Sequence, residues 1–174
     1  REAASELKSY RRKGSSPTTQ MLLDAIESHG VEGKTLLDIG GGVGAIQHEL
    51  LRSGAARATS VEASSAYERT SKQEAERQGH ADRVTYQPGN FVDVAAETEA
   101  ADIVTLDRVI CCYHDAEALL GGHDRQHMGL AVPAIDVVGG GFGGEDDIVI
   151  VEHVLEDLGQ RLENFLFVHA CTWM

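Results

Sequence analysis

A glycine-rich turn between a short aliphatic run and a helical pattern is the segment of this sequence best suited to bind a ligand. The turn contains Gly40, Gly41, Gly42 and Gly44, and the run before it, Thr35 to Ile39, is typical of a β-strand. Glycines at such a junction let the backbone turn tightly and bring its N–H groups close to a ligand, because no Cβ stands in the way. We therefore expect a ligand to bind against this turn.

Acidic residues end the predicted strands around the turn. Glu62 ends the second predicted strand, 20 residues after Gly42, and a carboxylate in this place can accept hydrogen bonds from both hydroxyls of a ribose. Asp38 lies at the end of the first strand and Asp107 ends the fourth. Because ligands of such sheets bind beyond the carboxyl ends of the strands, these carboxylates are expected to face one crevice. The pattern predicts a ligand that contains adenosine.

Two cofactors fit the glycine turn. The spacing Gly40-x-Gly42-x-x-Ala45 satisfies the dinucleotide-binding pattern G-x-G-x-x-A, so NAD(P) is one alternative. The acidic strand ends would repel a pyrophosphate, whereas they would attract a sulfonium cation and its ammonium group. The carboxylates therefore favour S-adenosylmethionine (SAM) over NAD(P).

The elements that must position these residues alternate along the chain. Short β-branched or aliphatic runs predict strands at Thr35 to Ile39, Ala58 to Glu62, Arg83 to Gln87, Asp102 to Leu106 and Asp147 to Glu152. Helical patterns lie between them, and strands that alternate with helices pair in parallel through right-handed crossovers. We predict the α/β class, with a doubly wound, Rossmann-like, mostly parallel sheet flanked by helices.

The whole chain, residues 1–174, is expected to form one domain. Residues 1–30 form a leading helical segment that includes a helix capped by Ser16, residues 31–115 form the nucleotide-binding half, and residues 116–174 form an irregular loop region and C-terminal strands. Asn164 to Ala170 supplies one such strand, but a final antiparallel strand is not evident. The C-terminal strands are therefore expected to be truncated or completed by a second copy, since an exposed sheet edge favours a homodimer.

Composition narrows the classes of partner. The formal net charge of -13 argues against a nucleic-acid partner, because binding to a phosphate backbone requires a basic face. The three cysteines form no spaced framework, which predicts a reducing, cytoplasmic setting. No apolar run approaches the roughly 20 residues that span a bilayer, so no membrane span is expected.

Several motifs carry a family resemblance. The run Leu36 to Gly44 resembles the first motif of class I SAM-dependent methyltransferases, and Ser60 to Ala63 resembles their second. Gly89 to Asp93 resembles the G-D-F segment beside the adenine, and Ala101 to Arg108 resembles the fourth strand. The resemblance extends over Thr35 to Asp115 and implies a SAM-binding site.

The resemblance assigns a role to each part of that site. The residues implied to bind the cofactor are Asp38, Gly40, Gly41, Gly42, Gly44, Glu62, Ala63, Asn90, Phe91, Asp107 and Arg108. Among them, Asp38 and the glycines would line the methionine portion and Glu62 would bind the ribose. Asn90 would bind the adenine amino group through its carbonyl oxygen, where the family usually has Asp, and Phe91 would contact the adenine face.

Two histidines are candidates for a general base, which methyl transfer needs only for a hydroxyl or similar acceptor. His114 follows the fourth predicted strand and His153 follows the fifth, in a run that resembles the fifth strand of small-molecule O-methyltransferases. His123 and His127 share a helical spacing, but no third ligand is evident, so no metal site is expected.

The resulting hypothesis is a SAM-dependent methyltransferase that acts on a small molecule by in-line displacement. The alternatives are an NAD(P)-binding oxidoreductase and a non-catalytic SAM-binding protein of the same fold.

Overall fold

The computed structural model describes residues 1–109, 146–153 and 165–172, the last two segments as backbone strands. The elements in chain order are α1 (Glu2–Lys13), α2 (Pro17–Ser28), β1 (Thr35–Ile39), α3 (Ala45–Arg52), β2 (Arg57–Glu62), α4 (Ser65–Gln78), β3 (Val84–Pro88), α5 (Phe91–Val94), β4 (Ile103–Thr105), β5 (Asp146–His153) and β6 (Phe165–Thr172). Short 3₁₀ turns lie at Ala81–Arg83 and Ala95–Glu97.

The strands form one sheet in the order β3-β2-β1-β4-β6-β5. The pairs β1 with β2, β1 with β4, β2 with β3 and β4 with β6 are all parallel, whereas β5 is antiparallel to β6. Strand order reverses between β1 and β4, so the crevice beyond their carboxyl ends is the expected ligand position. The predicted α/β class, with a mostly parallel Rossmann-like sheet flanked by helices, is confirmed.

The edge of the sheet differs from the sequence-based prediction. Asp147 to Glu152 was expected to continue the parallel series, and no antiparallel strand was expected, yet this run belongs to β5 at the antiparallel edge. The position next to β4 is taken by β6. A β-branched apolar run suits either strand direction, so its composition predicts the strand but not its partner.

Alternating residues of β1 divide the core between the two faces of the sheet. Leu36 packs with residues of α2 and α3 such as Leu22 and Ile46. Leu37 faces the other way, into a second apolar cluster that includes Phe91. Such alternation is expected for a strand that is buried on both faces, and it holds the carboxyl end of β1 in place.

The helix before β1 is capped as its sequence predicts. The Ser16 side chain accepts a hydrogen bond from the Thr19 backbone N–H at 3.2 Å, and Pro17 occupies the first helical position. Within the described residues, no helix is long and apolar enough to cross a bilayer.

A pair of buried histidines joins α3 to the end of α4. His48 Nδ1 and His80 Nε2 are 2.9 Å apart, and both side chains are almost inaccessible to solvent. Burial, together with a smaller effect of the neighbouring His80, lowers the pKa of His48 to about 4. Both effects disfavour the imidazolium form, so His48 is neutral in the folded protein at neutral pH.

We expect this pair to make the fold sensitive to acid. Because the pKa of His48 is about 4 in the folded state and near its usual value of 6.5 after unfolding, the unfolded state binds more protons between these values. The contribution of neutral His48 to the stability of the fold is complete above pH 6.5 and is lost as the pH falls toward 4.

The wild-type protein and His48→Gln should therefore be compared by urea denaturation at several pH values. The unfolding free energy of the wild type minus that of His48→Gln removes the contributions of titrating groups that both proteins share. This difference should fall by about 2 kcal/mol between pH 7 and pH 5. A difference that stays flat over this range would contradict the expectation.

Candidate functional site

The glycine turn lies at the carboxyl end of β1 and leads directly into α3. Gly40, Gly42 and Gly44 have φ values of 65°, 59° and 81°, in the left-handed region that favours glycine. The Gly40 N–H donates to the Val61 carbonyl at 2.8 Å, which ties the turn to β2. A Cβ at Gly42 would lie 3.6 Å from Tyr67 Cδ1 and 3.9 Å from Glu6 Oε1, so Tyr67 and Glu6 lie at contact distance beside the turn.

Glu62, at the end of β2, is held against this turn. One carboxylate oxygen accepts from the Gly42 N–H at 3.1 Å, and the other accepts from the Ser64 N–H at 2.7 Å. The side chain is partly exposed, and the adjacent Ala63 is exposed. A carboxylate fixed beside the turn retains acceptor capacity for hydroxyl groups, because each oxygen has two lone pairs.

Asp38 is completely buried beneath the turn. Its Oδ1 accepts a hydrogen bond from the Thr105 hydroxyl at 2.7 Å, but Oδ2 has no partner within the part of the chain that the structure describes. A Cβ on Gly41 would overlap this oxygen, so the two groups are in close contact. Burial, with smaller contributions from the negative charges of Asp107 and Glu62, raises the pKa of Asp38 to about 7, while the hydrogen bond from Thr105 opposes this rise.

Asp107 lies just beyond β4 and forms a hydrogen bond with a residue of α2. Its Oδ2 accepts from the Thr19 hydroxyl at 2.9 Å, whereas Oδ1 is buried and has no hydrogen-bond partner among the described residues. Arg108 Nε lies 3.6 Å from Asp107 Oδ2, and Arg108 adopts a left-handed conformation with φ of 57°. Such a conformation is uncommon outside glycine and often occurs at binding sites.

The structure brings the predicted carboxylates to one edge of the sheet. Asp38 pairs with Ser60 of β2 and with Thr105 of β4, while Glu62 and Asp107 each lie two positions beyond these partners. Sequence reasoning missed Thr19 and Thr105, since threonines in a helix and in a strand carry no spacing signal of their own.

The residues predicted to contact adenine are arranged differently. Asn90 is exposed, and its side chain caps α5 by accepting from the Val92 N–H at 3.4 Å. Phe91 is only 6% exposed and packs in the apolar cluster with Ile39 and Val61. The ring of Phe91 therefore contributes to the core, because the short helix α5 turns it toward the sheet.

Of the two candidate bases, the structure describes only the backbone of His153. His114 lies outside the described residues. His153 pairs with Phe165, one position before the pairing of Leu166 with Ile103 at the start of β4. Since β5 runs antiparallel, His153 lies at the amino end of the parallel strands, away from the glycine turn, and this placement disagrees with a role as the base.

One further residue reaches the site from the N-terminal helix. Glu6 of α1 accepts a hydrogen bond from the Tyr67 hydroxyl at 2.8 Å and lies 4.0 Å from Arg108 Nη2. Its Oε1 would be 3.9 Å from a Cβ at Gly42. Glu6 therefore lies beside the turn, where no pattern in the sequence placed it.

Residues 37–126 match the model of a family described as a methyltransferase domain, over slightly more than half of the chain. The chain belongs to this methyltransferase family. The class I resemblance seen in its motifs is thereby confirmed. No curated protein matches the sequence.

Solved structures share the fold of this methyltransferase domain. A candidate SAM-dependent methyltransferase from Methanococcus maripaludis has 17% identity and a TM-score of 0.58, over 67% of this chain and 53% of that one. A candidate sarcosine dimethylglycine methyltransferase from Galdieria sulphuraria has 20% identity and a TM-score of 0.55, over 63% and 41%. An O-methyltransferase family protein from Burkholderia thailandensis has 19% identity and a TM-score of 0.54, over 68% and 36%. This chain thus spans about half or less of the length of these structures.

Proposed function

We propose that this methyltransferase domain binds SAM and transfers its methyl group to a small-molecule acceptor. The observation that carries the proposal is Asp38, a fully buried carboxylate whose Oδ2 lies against the glycine turn without a hydrogen-bond partner in the described part of the chain. A buried negative charge of this kind is costly unless a positive charge lies nearby.

The groups around the turn suit a cationic adenosine derivative. Gly42 has no side chain that would separate a ligand from the backbone, and the Glu62 carboxylate lies beside it for the ribose hydroxyls. A unit positive charge about 4 Å from a carboxylate gains about 4 kcal/mol at an effective dielectric constant near 20. A pyrophosphate would instead meet repulsion from Asp38, Glu62 and Asp107, which disfavours NAD(P).

Bound SAM would supply a methyl group on a sulfonium, whose thioether leaves as a neutral group. In this proposal the chain's own residues bind and orient: Glu62 holds the ribose, and Asp38 offsets positive charge near the turn. Positioning of this kind can supply much of the acceleration of a displacement. His114, which follows β4 in the sequence, is the proposed base for a hydroxyl acceptor, while His153 is not retained.

Calorimetric titration of the wild-type chain with SAM and with S-adenosylhomocysteine tests the binding step. We expect saturable heat with both ligands and none with NADH. Gly42→Val should abolish binding, because its branched side chain would occupy the space beside the turn, where Tyr67 and Glu6 already lie within 4 Å of a Cβ.

Gly33→Val is the matched control for this substitution. Gly33 has a similar φ of 73°, and no atom lies within 4 Å of a Cβ at this position. Gly33→Val therefore imposes the same backbone strain away from the site. Absence of heat with SAM at high micromolar concentration, from wild-type protein that is shown to be folded, would overturn the proposal.

Catalysis is tested separately from binding. A panel of small-molecule acceptors with a radiolabelled methyl donor should yield labelled product for at least one class of acceptor. Binding of SAM without turnover across the panel would favour a non-catalytic SAM-binding protein.

A further inference from the structure

A layer of buried polar side chains lies against the last glycine of the turn, between α3 and α4. This polar layer consists of Gln47 and His48 of α3, which have no exposed surface, and of Ser71 and His80, which are each 1% exposed. Polar side chains are rarely buried so completely, because removing them from water costs free energy. The other buried face of α3, which includes Leu50, is apolar as expected for a core helix.

Hydrogen bonds join the polar layer across several elements. Gln47 Nε2 donates to Ser71 Oγ at 2.7 Å, and the Tyr86 hydroxyl of β3 lies 3.2 Å from the same Ser71 oxygen. Beside them, His48 Nδ1 and His80 Nε2 are 2.9 Å apart, so one ring donates to the other. These bonds tie α3 to α4 and to β3, and they limit the positions that the start of α3 can take.

Three atoms of the polar layer converge on Gly44. A Cβ at Gly44 would lie 2.6 Å from Gln47 Nε2, 2.6 Å from Ser71 Oγ and 2.8 Å from His48 Nε2. Gly44 is both the last glycine of the turn and the N-cap of α3, and it has no side chain with which to cap the helix. The backbone at this junction is therefore packed directly against the polar layer.

We propose that Gln47, His48 and Ser71 are positioning residues of the cofactor site, because they fix Gly44 and thereby the glycine turn that receives the cofactor. This inference rests on the proposed function. It assigns a role to side chains that contact the turn and lie behind it, in the interface between α3 and α4. A turn that is fixed before the ligand arrives loses less conformational freedom on binding, which strengthens the affinity.

The composition of the polar layer favours positioning over stability. Gln47 Oε1 is buried and has no hydrogen-bond partner among the described residues, so part of the polar capacity of the layer is unmet. Replacing both partners of a buried hydrogen bond by apolar groups of similar shape is often neutral or stabilising. Hydrogen bonds are directional, whereas apolar contacts are not, so the polar layer specifies one position for Gly44 more sharply.

The double variant Gln47→Met with Ser71→Ala separates positioning from stability. It removes the hydrogen bond between α3 and α4 and leaves neither of its two partners unpaired. We expect urea denaturation to give an unfolding free energy equal to or higher than that of the wild type. Calorimetry should nevertheless show binding of S-adenosylhomocysteine that is about 10-fold weaker, equivalent to about 1.4 kcal/mol.

Leu51→Ala is the control for stability. Leu51 is 2% exposed and lies in the last turn of α3, at the far end of the helix from Gly44. Its truncation leaves a cavity and lowers the unfolding free energy. Because the polar layer is unchanged in this variant, Leu51→Ala should keep the wild-type affinity for S-adenosylhomocysteine.

The histidine rings provide a spectroscopic signal from inside the polar layer. Both rings are almost inaccessible to solvent, so a change at His48 or His80 on ligand binding is transmitted through the protein. We expect their ring resonances in NMR spectra to shift when S-adenosylhomocysteine is added, because the turn changes its contacts. The exposed His29, at the end of α2, should show no such shift.

The outcomes distinguish this inference from the proposed function. Wild-type protein that is folded and gives no heat with S-adenosylhomocysteine overturns the proposed function. Wild-type protein that binds, with a double variant that binds equally well, overturns the positioning role and identifies the polar layer as a packing contact. If the double variant is less stable and binds more weakly, Leu51→Ala decides: equal weakening in that control overturns the positioning role, and unchanged affinity supports it.

Discussion

Asp38→Asn is expected to weaken SAM binding about 100-fold, equivalent to about 2.7 kcal/mol, while it stabilises the folded protein. The weaker binding follows from the loss of the buried negative charge beneath the glycine turn. An amide of the same size can still accept the 2.7 Å hydrogen bond from the Thr105 hydroxyl, so the packing around β1 and β4 is preserved.

The gain in stability follows from the pKa of Asp38. Burial raises this pKa to about 7 from its usual value of 3.8, so the folded state retains a proton that the unfolded state releases. The favourable contribution of protonated Asp38 to the unfolding free energy is complete below pH 3.8 and is lost as the pH rises through 7. At pH 8 the charged carboxylate therefore costs up to about 4 kcal/mol, which asparagine would remove.

The same titration should appear in ligand binding. If the ionised carboxylate attracts the cofactor, wild-type affinity for SAM should rise about 10-fold from pH 6 to pH 8, and Asp38→Asn should lose this dependence. Urea denaturation at pH 8 and calorimetry at both pH values provide the measurements.

Asp102→Asn is the matched control. Asp102 lies at the amino end of β4, where its carboxylate accepts from the Thr35 N–H at 2.7 Å and from its hydroxyl at 2.8 Å. These hydrogen bonds lower the pKa of Asp102 against the opposing effect of burial, so its charge is stabilising. Asp102→Asn should destabilise the fold and leave SAM affinity unchanged. An Asp38→Asn variant that is less stable than wild type and binds SAM normally would contradict our assignment.

Gly44→Ala is the second substitution for which we expect a large effect. A Cβ at Gly44 would lie 2.6 Å from Gln47 Nε2, 2.6 Å from Ser71 Oγ and 2.8 Å from His48 Nε2, all on buried side chains. Overpacking of this kind costs about 1 to 3 kcal/mol, and the left-handed φ of 81° adds about 1 to 2 kcal/mol. The displaced start of α3 should also weaken SAM binding.

Gly30→Ala separates the strain from the packing. Gly30 has a φ of 85° but no atom within 4 Å of a Cβ. The Gly30→Ala variant should lose only the part of the unfolding free energy that comes from backbone strain, about 1 to 2 kcal/mol, and should retain SAM binding. Equal losses of unfolding free energy in Gly30→Ala and Gly44→Ala would show that the buried polar atoms around Gly44 do not determine the cost.

Local patterns account for the predicted strand and the conformation of the glycine turn. The strand before the glycines has the predicted bounds of Thr35–Ile39, and the glycines adopt the positive φ values that favour their residue type. Both features depend on neighbours within a few residues, so composition and spacing are sufficient to predict them. The parallel sheet follows from the same local information, because helices alternate with strands along the chain.

The structure alone revealed the contacts between distant segments. The partners Thr105 with Asp38, Thr19 with Asp107 and Tyr67 with Glu6 are 67, 88 and 61 residues apart. None of these residue types signals its partner, since a hydroxyl hydrogen-bonds to whatever carboxylate the packing brings near.

Packing also decided which way individual side chains and strands face. Phe91 resembles an adenine-contacting residue in its motif, yet the turn of α5 directs its ring into the core. His153 was predicted to follow a strand; it is the last residue of β5, and antiparallel pairing places it at the opposite end of the sheet. The sequence by itself determined the glycine turn, the position of Glu62 at the end of a strand and the class of fold, because these depend on local spacing. Tertiary packing decided how Asp38 and Asp107 are buried and which partners they and Glu6 have around that turn.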